Sequence, residues 1–218
     1  MNKLRTILLD ALILFSVSTL FVVMADRAFS GLKGKIPKDD PLVTAIGQGE
    51  LKGLEEAIAG LAGDPASIVT PLNDKHGRNS LMRAAYVNLA AADKLQEADA
   101  ARADMVALLL RHGAQLDALD HDGWTALMWA AWSNLPQVVN QLLEHHANLA
   151  QADSQGNTAL IIAAQRGNVA IVKALLAKGA DKTAVTKRGL TAAAAAETAK
   201  QQDRSQAKAY DEVLAALR

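Results

Sequence analysis

The chain has no cysteine among its 218 residues. Disulfide bonds, thiolate metal ligands and a cysteine nucleophile are therefore excluded, although the absence of cysteine does not fix the cellular compartment. The chain also lacks an excess of charge, because its 23 Lys and Arg residues balance its 23 Asp and Glu residues. Nucleic-acid-binding proteins usually carry a basic excess, so we expect no nucleic-acid partner.

Aromatic residues are scarce, at 4% of the chain, and they are unevenly placed. The phenylalanines are Phe15, Phe21 and Phe29, so the chain beyond them contains only Tyr and Trp as aromatic side chains. The three tryptophans lie together in the segment GWTALMWAAWSN, residues 123–134. Tyr and Trp are enriched at binding hot spots, so this segment is a candidate either for the core or for a binding surface.

No motif typical of an enzyme occurs in the sequence. Gly-Xaa-Ser-Xaa-Gly, His-Glu-Xaa-Xaa-His and a phosphate-binding glycine loop are all missing. Among the histidines, His112 and His145 are candidate metal ligands, with His121 and His146 as further candidates. No recognisable motif places a carboxylate to complete a zinc site with them. We therefore predict no catalytic residue, no metal and no cofactor.

One long apolar run lies at the N-terminus. Residues 7–25 are apolar except for Asp10 and three hydroxyl residues, and they follow the basic segment MNKLR. Residues 1–25 are therefore predicted to be an apolar helix that acts as a signal peptide or as a membrane anchor. A buried helix of a soluble domain is a weaker alternative. Residues 26–40 are expected to form a tether, with the rest of the chain outside the cytoplasm, in the periplasm if the protein is bacterial.

The remainder of the sequence repeats itself. Three Gly-Xaa-Thr triplets begin at Gly123, Gly156 and Gly189. The period of the repeat is the spacing between successive glycines, which is the same for both intervals. The segment DHDGWTALMWAAWSN also aligns with DSQGNTALIIAAQRGN, including an Ala-Ala pair. The interval from Gly77 to Gly123 is longer than this period, so the unit between them contains an insertion. A fixed period of this length indicates a solenoid of stacked units.

These segments resemble the ankyrin repeat family. The resemblance rests on the turn glycine, on Thr-Ala-Leu where the family usually has Thr-Pro-Leu-His, on the Ala-Ala pair and on a closing Gly-Ala-Asp. It implies an all-α solenoid of about five helix-turn-helix units over residues 41–218. We predict two cap units, a stretched repeat and two regular repeats, with the boundaries 41–73, 74–119, 120–152, 153–185 and 186–218.

The motif residues also predict local geometry. Pro136 is expected in the first turn of a second helix, where its missing amide donor costs little. Gly113 and Gly179 are expected to close second helices in the left-handed conformation, and His146 takes this place in the middle unit at a cost of roughly 1 kcal/mol. In each unit after the first, one residue is predicted to cap the first helix with its side-chain oxygen. These residues are Asn79, Thr125, Thr158 and Thr191.

The inserted residues lie within Val87 to Asp104, a segment rich in Ala, Glu, Lys, Gln and Arg. Because this composition favours helix, we predict that it lengthens both helices of its unit into a protruding hairpin. The alternative is a finger that contacts the membrane or a partner. The segment has no large apolar or basic stripe that would favour a lipid surface.

The resemblance further implies that variable positions on the concave face bind a protein partner. Trp129 aligns with Ile162, so we predict that it lies in the core. Trp124 and Trp132 align with the polar Asn157 and Gln165, so we predict that they lie on the binding surface. The complete set of predicted partner-binding residues is Arg78, Tyr86, His121, Asp122, Trp124, Trp132, Ser133, Asn157, Gln165, Arg166, Lys187 and Arg188.

We therefore expect a non-catalytic module that binds another protein outside the cytoplasm, as an adaptor, accessory or immunity-type factor. It is expected to be monomeric apart from its partner. The alternative function is a structural scaffold, tethered to the membrane through residues 7–25. An enzyme is a third, less favoured possibility.

Overall fold

Ten α-helices, in five successive pairs, account for most of the residues that the computed structural model describes. These residues are 41–60, 76–86 and 95–218. The predicted apolar N-terminal helix, the tether and residues 87–94 of the insertion lie outside them. Within the described ranges no helix is long and apolar enough to cross a membrane.

The pairs follow one another in chain order, and each has a first and a second helix. They are α1 (Pro41–Gln48) and α2 (Leu51–Gly60), α3 (Ser80–Ala84) and α4 (Leu95–Arg111), α5 (Ala126–Trp132) and α6 (Pro136–Glu144), α7 (Ala159–Gln165) and α8 (Val169–Ala177), and α9 (Ala192–Gln202) and α10 (Ala207–Leu217). A 3-10 turn, Arg204–Gln206, joins the last two helices. In the described part of the chain the β-structure is one isolated bridge between Ala152 and Thr158, so the prediction of an all-α fold is confirmed.

First helices pack against first helices along the array, and second helices pack against second helices. The Ala-Ala pairs of α5 and α7 are completely buried, as are Leu142 of α6 and Leu175 of α8. Alanine keeps the first helices thin, so neighbouring units approach closely while larger aliphatic residues of the second helices fill the core. The core is therefore continuous from one unit to the next.

The turns before the first helices form a second line of contact between units. The N–H groups of His121, Ser154 and Lys187 donate to the carbonyl oxygens of His76, Asp122 and Gln155, at 3.0, 2.9 and 2.8 Å. Gly156 lies in one of these turns with φ +82°, and a Cβ atom there would lie 2.9 Å from the Lys187 nitrogen. Glycine is therefore required both by the backbone conformation and by the close approach of the next turn.

The predicted ends of the helices are confirmed. Pro136 is the first residue of α6, and His146 has φ 65° in the left-handed region, as Gly113 and Gly179 do at 86° and 88°. In each unit after the first, the capping side chain accepts from the N–H group three residues ahead. They are Asn79, Thr125, Thr158 and Thr191.

The C-terminal ends of the first helices receive hydrogen bonds from the following unit. The Asn168 amide donates to the Ala131 carbonyl oxygen at 2.7 Å, and this bond is buried. The Tyr210 hydroxyl donates to the Gln165 carbonyl oxygen at 3.2 Å. Since the last carbonyl groups of a helix have no partner within it, these bonds stabilise both the helix end and the stacking of units.

The insertion lengthens one helix of its pair. The second helix, α4, has 17 residues, whereas α6 and α8 have 9 each, as predicted. The prediction that the first helix is also longer is wrong, because α3 has 5 residues and ends at Ala84. Arg102, on the added length of α4, donates to the carbonyl oxygens of Arg83 and Ala84 at 3.1 and 3.2 Å. It thereby satisfies the carbonyl groups left at this early helix end.

Asp99, one turn before Arg102, caps the helix of another unit. It is 3% exposed, and its carboxylate accepts from the N–H groups of Gln137 and Val138 at 2.9 and 3.1 Å. These amides belong to the first turn of α6, whose N-cap residue, Leu135, makes no side-chain cap. Burial raises the pKa of Asp99, and the two backbone hydrogen bonds oppose this effect. The insertion therefore supplies a cap that the neighbouring unit lacks.

Removing this carboxylate is expected to destabilise the fold. Asp99→Ala leaves two amides of α6 without an acceptor and should lower the free energy of unfolding by about 1 to 2 kcal/mol. Asp104→Ala, at an exposed position on the same helix, is the control and should change it by about 0.5 kcal/mol or less. Urea denaturation followed by circular dichroism measures both variants. Equal stabilities of the two variants would contradict the capping role.

Candidate functional site

Four aromatic side chains form one continuous cluster on the turns and first helices. The ring centroids of Tyr86 and Trp129 are 5.1 Å apart, those of Trp124 and Trp129 are 4.7 Å apart, and those of Trp124 and Trp132 are 5.8 Å apart. All four side chains are partly exposed. We call Tyr86, Trp124, Trp129 and Trp132 the aromatic cluster. It joins the stretched unit to the first regular repeat.

The prediction that Trp129 lies in the core holds only in part, because Trp129 packs against the core but remains partly exposed. Its counterpart Ile162 is 2% exposed, whereas Trp129 is only partly buried and lies in the middle of the aromatic cluster. The physical reason is the indole N–H, which donates to Oδ2 of Asp120 at 3.0 Å. Because Asp120 belongs to the turn, this bond ties the ring to the turn while the ring also packs against the core.

Asp120 organises the turn that carries Trp124. Its Oδ1 accepts from the backbone N–H groups of Asp122 at 3.0 Å and Trp124 at 2.8 Å. The other oxygen, Oδ2, binds the Trp129 indole, so one buried carboxylate fixes the positions of two rings of the aromatic cluster. Such a carboxylate preorganises the cluster, because its rings are held before any partner binds.

The same turn occurs in the next unit, around Asp153. Its Oδ1 accepts from the N–H groups of Gln155 and Asn157, both at 2.8 Å, and its Oδ2 accepts from the Asn157 side chain at 2.9 Å. The sequence analysis missed this role of Asp120 and Asp153. The signal that could have identified them is their place in the repeat, because each lies three positions before a turn glycine, Gly123 or Gly156.

Two arginines lie at the two ends of the aromatic cluster. The Arg78 guanidinium lies 5.2 Å from the Tyr86 ring centroid and 5.3 Å from that of Trp129. The Arg166 guanidinium lies 4.3 Å from the ring centroid of Trp132. These cation–π contacts place a positive charge at each end of an apolar surface.

An open pocket of about 400 Å³ lies beside Trp132 and Arg166. It is formed by the C-terminal ends of α5, α7 and α9 together with residues before and within α10. Its lining is mostly polar and includes Gln165, Gln202 and Tyr210. All five aromatic residues after position 41 therefore lie in the aromatic cluster or in the pocket next to it.

The structure brings most of the predicted binding residues to this side of the molecule. Arg78, Tyr86, Trp124, Trp132 and Arg166 are in mutual contact through the cluster. Asn157 is partly buried against Asp153. The remaining exposed members lie on the turns or at the pocket, and they are His121, Asp122, Gln165, Lys187 and Arg188.

Ser133 is the exception, because it is completely buried. The structure contradicts its prediction as a binding residue. Ser133 occupies the position that Arg166 has in the next unit. The serine side chain ends one atom beyond Cβ and is too short to reach the surface, whereas the longer arginine reaches it. Among the described residues no group of three or more His, Asp or Glu side chains is arranged to hold a metal ion.

The bond between Trp129 and Asp120 is testable with two matched variants. Trp129→Phe keeps a ring but removes the indole donor, which leaves an acceptor of a buried carboxylate without a partner. Trp132→Phe makes the same change where the described residues supply no acceptor for the indole. We expect Trp129→Phe to lower the free energy of unfolding by about 1 to 2 kcal/mol more than Trp132→Phe does in urea denaturation. Equal losses would mean that the hydrogen bond does not hold the turn.

The repeated part of the chain matches the model of a known protein family. The model of ankyrin repeats (3 copies) matches residues 97–186 and 127–202. The matched residues contain both Asp-based turns, all three tryptophans and helices α5 to α9. Among curated proteins, none matches the chain. With its fixed repeat period, paired helices and turn-to-turn hydrogen bonds, the matched region, residues 97–202, belongs to the ankyrin repeat family.

Proposed function

We propose that the chain is a non-catalytic module that binds one partner protein through the face formed by its turns and first helices. Ankyrin repeats generally act in protein–protein interaction. The observation that carries the proposal is the aromatic cluster, in which four partly exposed rings contact one another and two arginines flank them. Trp, Tyr and Arg are the residue types most enriched at binding hot spots.

The repeat itself supports this interpretation. Asn157 and Gln165 occupy the positions of Trp124 and Trp132 in the next unit, and that unit has the same turn and the same helix bounds relative to its cap. The fold therefore does not require a large ring at either position. Partly exposed tryptophans at such positions add apolar surface that a partner removes from water on binding.

We also propose that the partner lies outside the cytoplasm, because the apolar segment 7–25 is typical of an export signal or an anchor. In that compartment the chain acts as an adaptor, accessory or immunity-type factor. A membrane-tethered scaffold is the second candidate, favoured by the same segment. Mass spectrometry distinguishes the two: a soluble mature protein that begins near Asp26 is incompatible with a tethered scaffold.

Partner recovery with the tagged full chain tests the binding face. Trp124→Ala and Trp132→Ala should each weaken binding by about 2 kcal/mol or more, roughly 30-fold, and the partner should be lost on washing. Lys173→Ala, an exposed position on the second helix α8, should recover the partner as the wild type does.

Thermal midpoints are measured in parallel, so that a loss of binding is not confused with a loss of folding. Retention of the partner by both folded tryptophan variants would place the binding site elsewhere. Its loss in Lys173→Ala would point to the face formed by the second helices.

A further inference from the structure

Arg166 is held in a geometry suited to binding a carboxylate. Its guanidinium lies over the indole of Trp132, 4.3 Å from the ring centroid. No carboxylate of the described residues forms an ion pair with it. Among the described residues the side-chain N–H groups of Arg166 have no hydrogen-bond acceptor, so they are available as donors. Two such donors match the two oxygens of a carboxylate.

The pocket beside Arg166 supplies further polar groups. Asn134, Gln165 and Gln202 line it, and within the described residues their side-chain amides make no hydrogen bond. These amides are available to donors and acceptors of a bound segment. The pocket is open, so a side chain that projects from an extended or helical segment has access to it.

One acidic residue of the chain, Asp203, also lines the pocket. Its oxygens accept from the Ser205 hydroxyl and backbone N–H and from the Gln206 amide. The Ser205 hydroxyl and then its backbone N–H hold the pKa of Asp203 below its ordinary value. Asp203 thus accepts three hydrogen bonds within its own turn and forms no ion pair with Arg166, so Arg166 is left for an external acid.

The charge of the predicted binding residues agrees with this assignment, and basic side chains still outnumber acidic ones when Asp203 in the pocket is added. The chain as a whole is neutral. The exposed and partly exposed binding residues, however, include four basic side chains and one acidic side chain, Asp122. The basic residues are Arg78, Arg166, Lys187 and Arg188. An acidic partner segment is electrostatically complementary to this face.

We infer that the partner segment inserts an Asp or Glu side chain at Arg166, with a neighbouring apolar side chain packed on Trp124 and Trp132. This inference rests on the proposed function and specifies the chemistry of its partner. The carboxylate gives orientation, because a bidentate pair with an arginine has a defined geometry. The tryptophans give contact area next to it.

Peptide selection tests the inference. Short random peptides displayed on phage are selected on the immobilised full chain, after depletion on the Trp132→Ala variant. We expect the selected peptides to be enriched in Asp or Glu adjacent to an apolar residue. Changing that acid to its amide in a synthetic peptide should weaken binding to the wild type by about tenfold or more. The same change in the peptide should not further weaken its binding to the Arg166→Gln variant.

Arg111→Gln, the same charge change at an exposed position on α4, should bind the peptides like the wild type. The inference would be overturned if the selected peptides showed no acidic enrichment. It would also be overturned if the acid-to-amide change weakened binding equally to the wild type and to folded Arg166→Gln. In both cases the proposed function stands if binding still needs Trp124 and Trp132. Recovery of no peptide that depends on the aromatic cluster would overturn both.

Discussion

Close approach between successive units is the constraint on which this solenoid depends. The turns at His121, Ser154 and Lys187 each donate a hydrogen bond to the preceding turn, and at Gly156 the next backbone is too near for any side chain. In the first helices, the completely buried Ala163 and Ala164 meet the same requirement. Large aromatic rings are therefore absent from these two close contacts, and Trp124 and Trp132 instead pack against the core with part of their surface exposed. The stacking that builds the fold thus also determines where a binding surface can form.

The insertion shows how an irregular unit is accommodated in such an array. Asn168 bonds the end of the preceding first helix in the regular part of the solenoid, but its counterpart, Leu135, has no polar side chain. The lengthened helix α4 compensates at both helix ends, because Arg102 satisfies carbonyl groups of α3 and Asp99 caps α6. The additional residues are thereby coupled to the stability of the first regular repeat, which carries three rings of the aromatic cluster.

The sequence was most informative where a local rule repeats with the period. The threonine caps, Pro136 and the left-handed His146 were predictable, because each depends only on the residues of its own turn. The partial exposure of Trp129, the burial of Ser133 and the short α3 were not. Trp129 is directed by a hydrogen bond to the turn, Ser133 is buried because its side chain is short, and α3 ends where Arg102 reaches it from the insertion. These outcomes depend on side-chain contacts that are specific to one unit and that an alignment of the repeats does not show. The pocket near Tyr210 has no counterpart in the repeat pattern.

The central claim is that a partner protein binds the face formed by the turns and first helices, next to the aromatic cluster. Site-specific photo-crosslinking in cells tests this most directly, with the photoreactive residue placed at Gln165 beside the pocket or at Lys173 on α8. Both positions are exposed. The account predicts a crosslinked protein from Gln165 and none from Lys173. Crosslinking from Lys173 alone would contradict it.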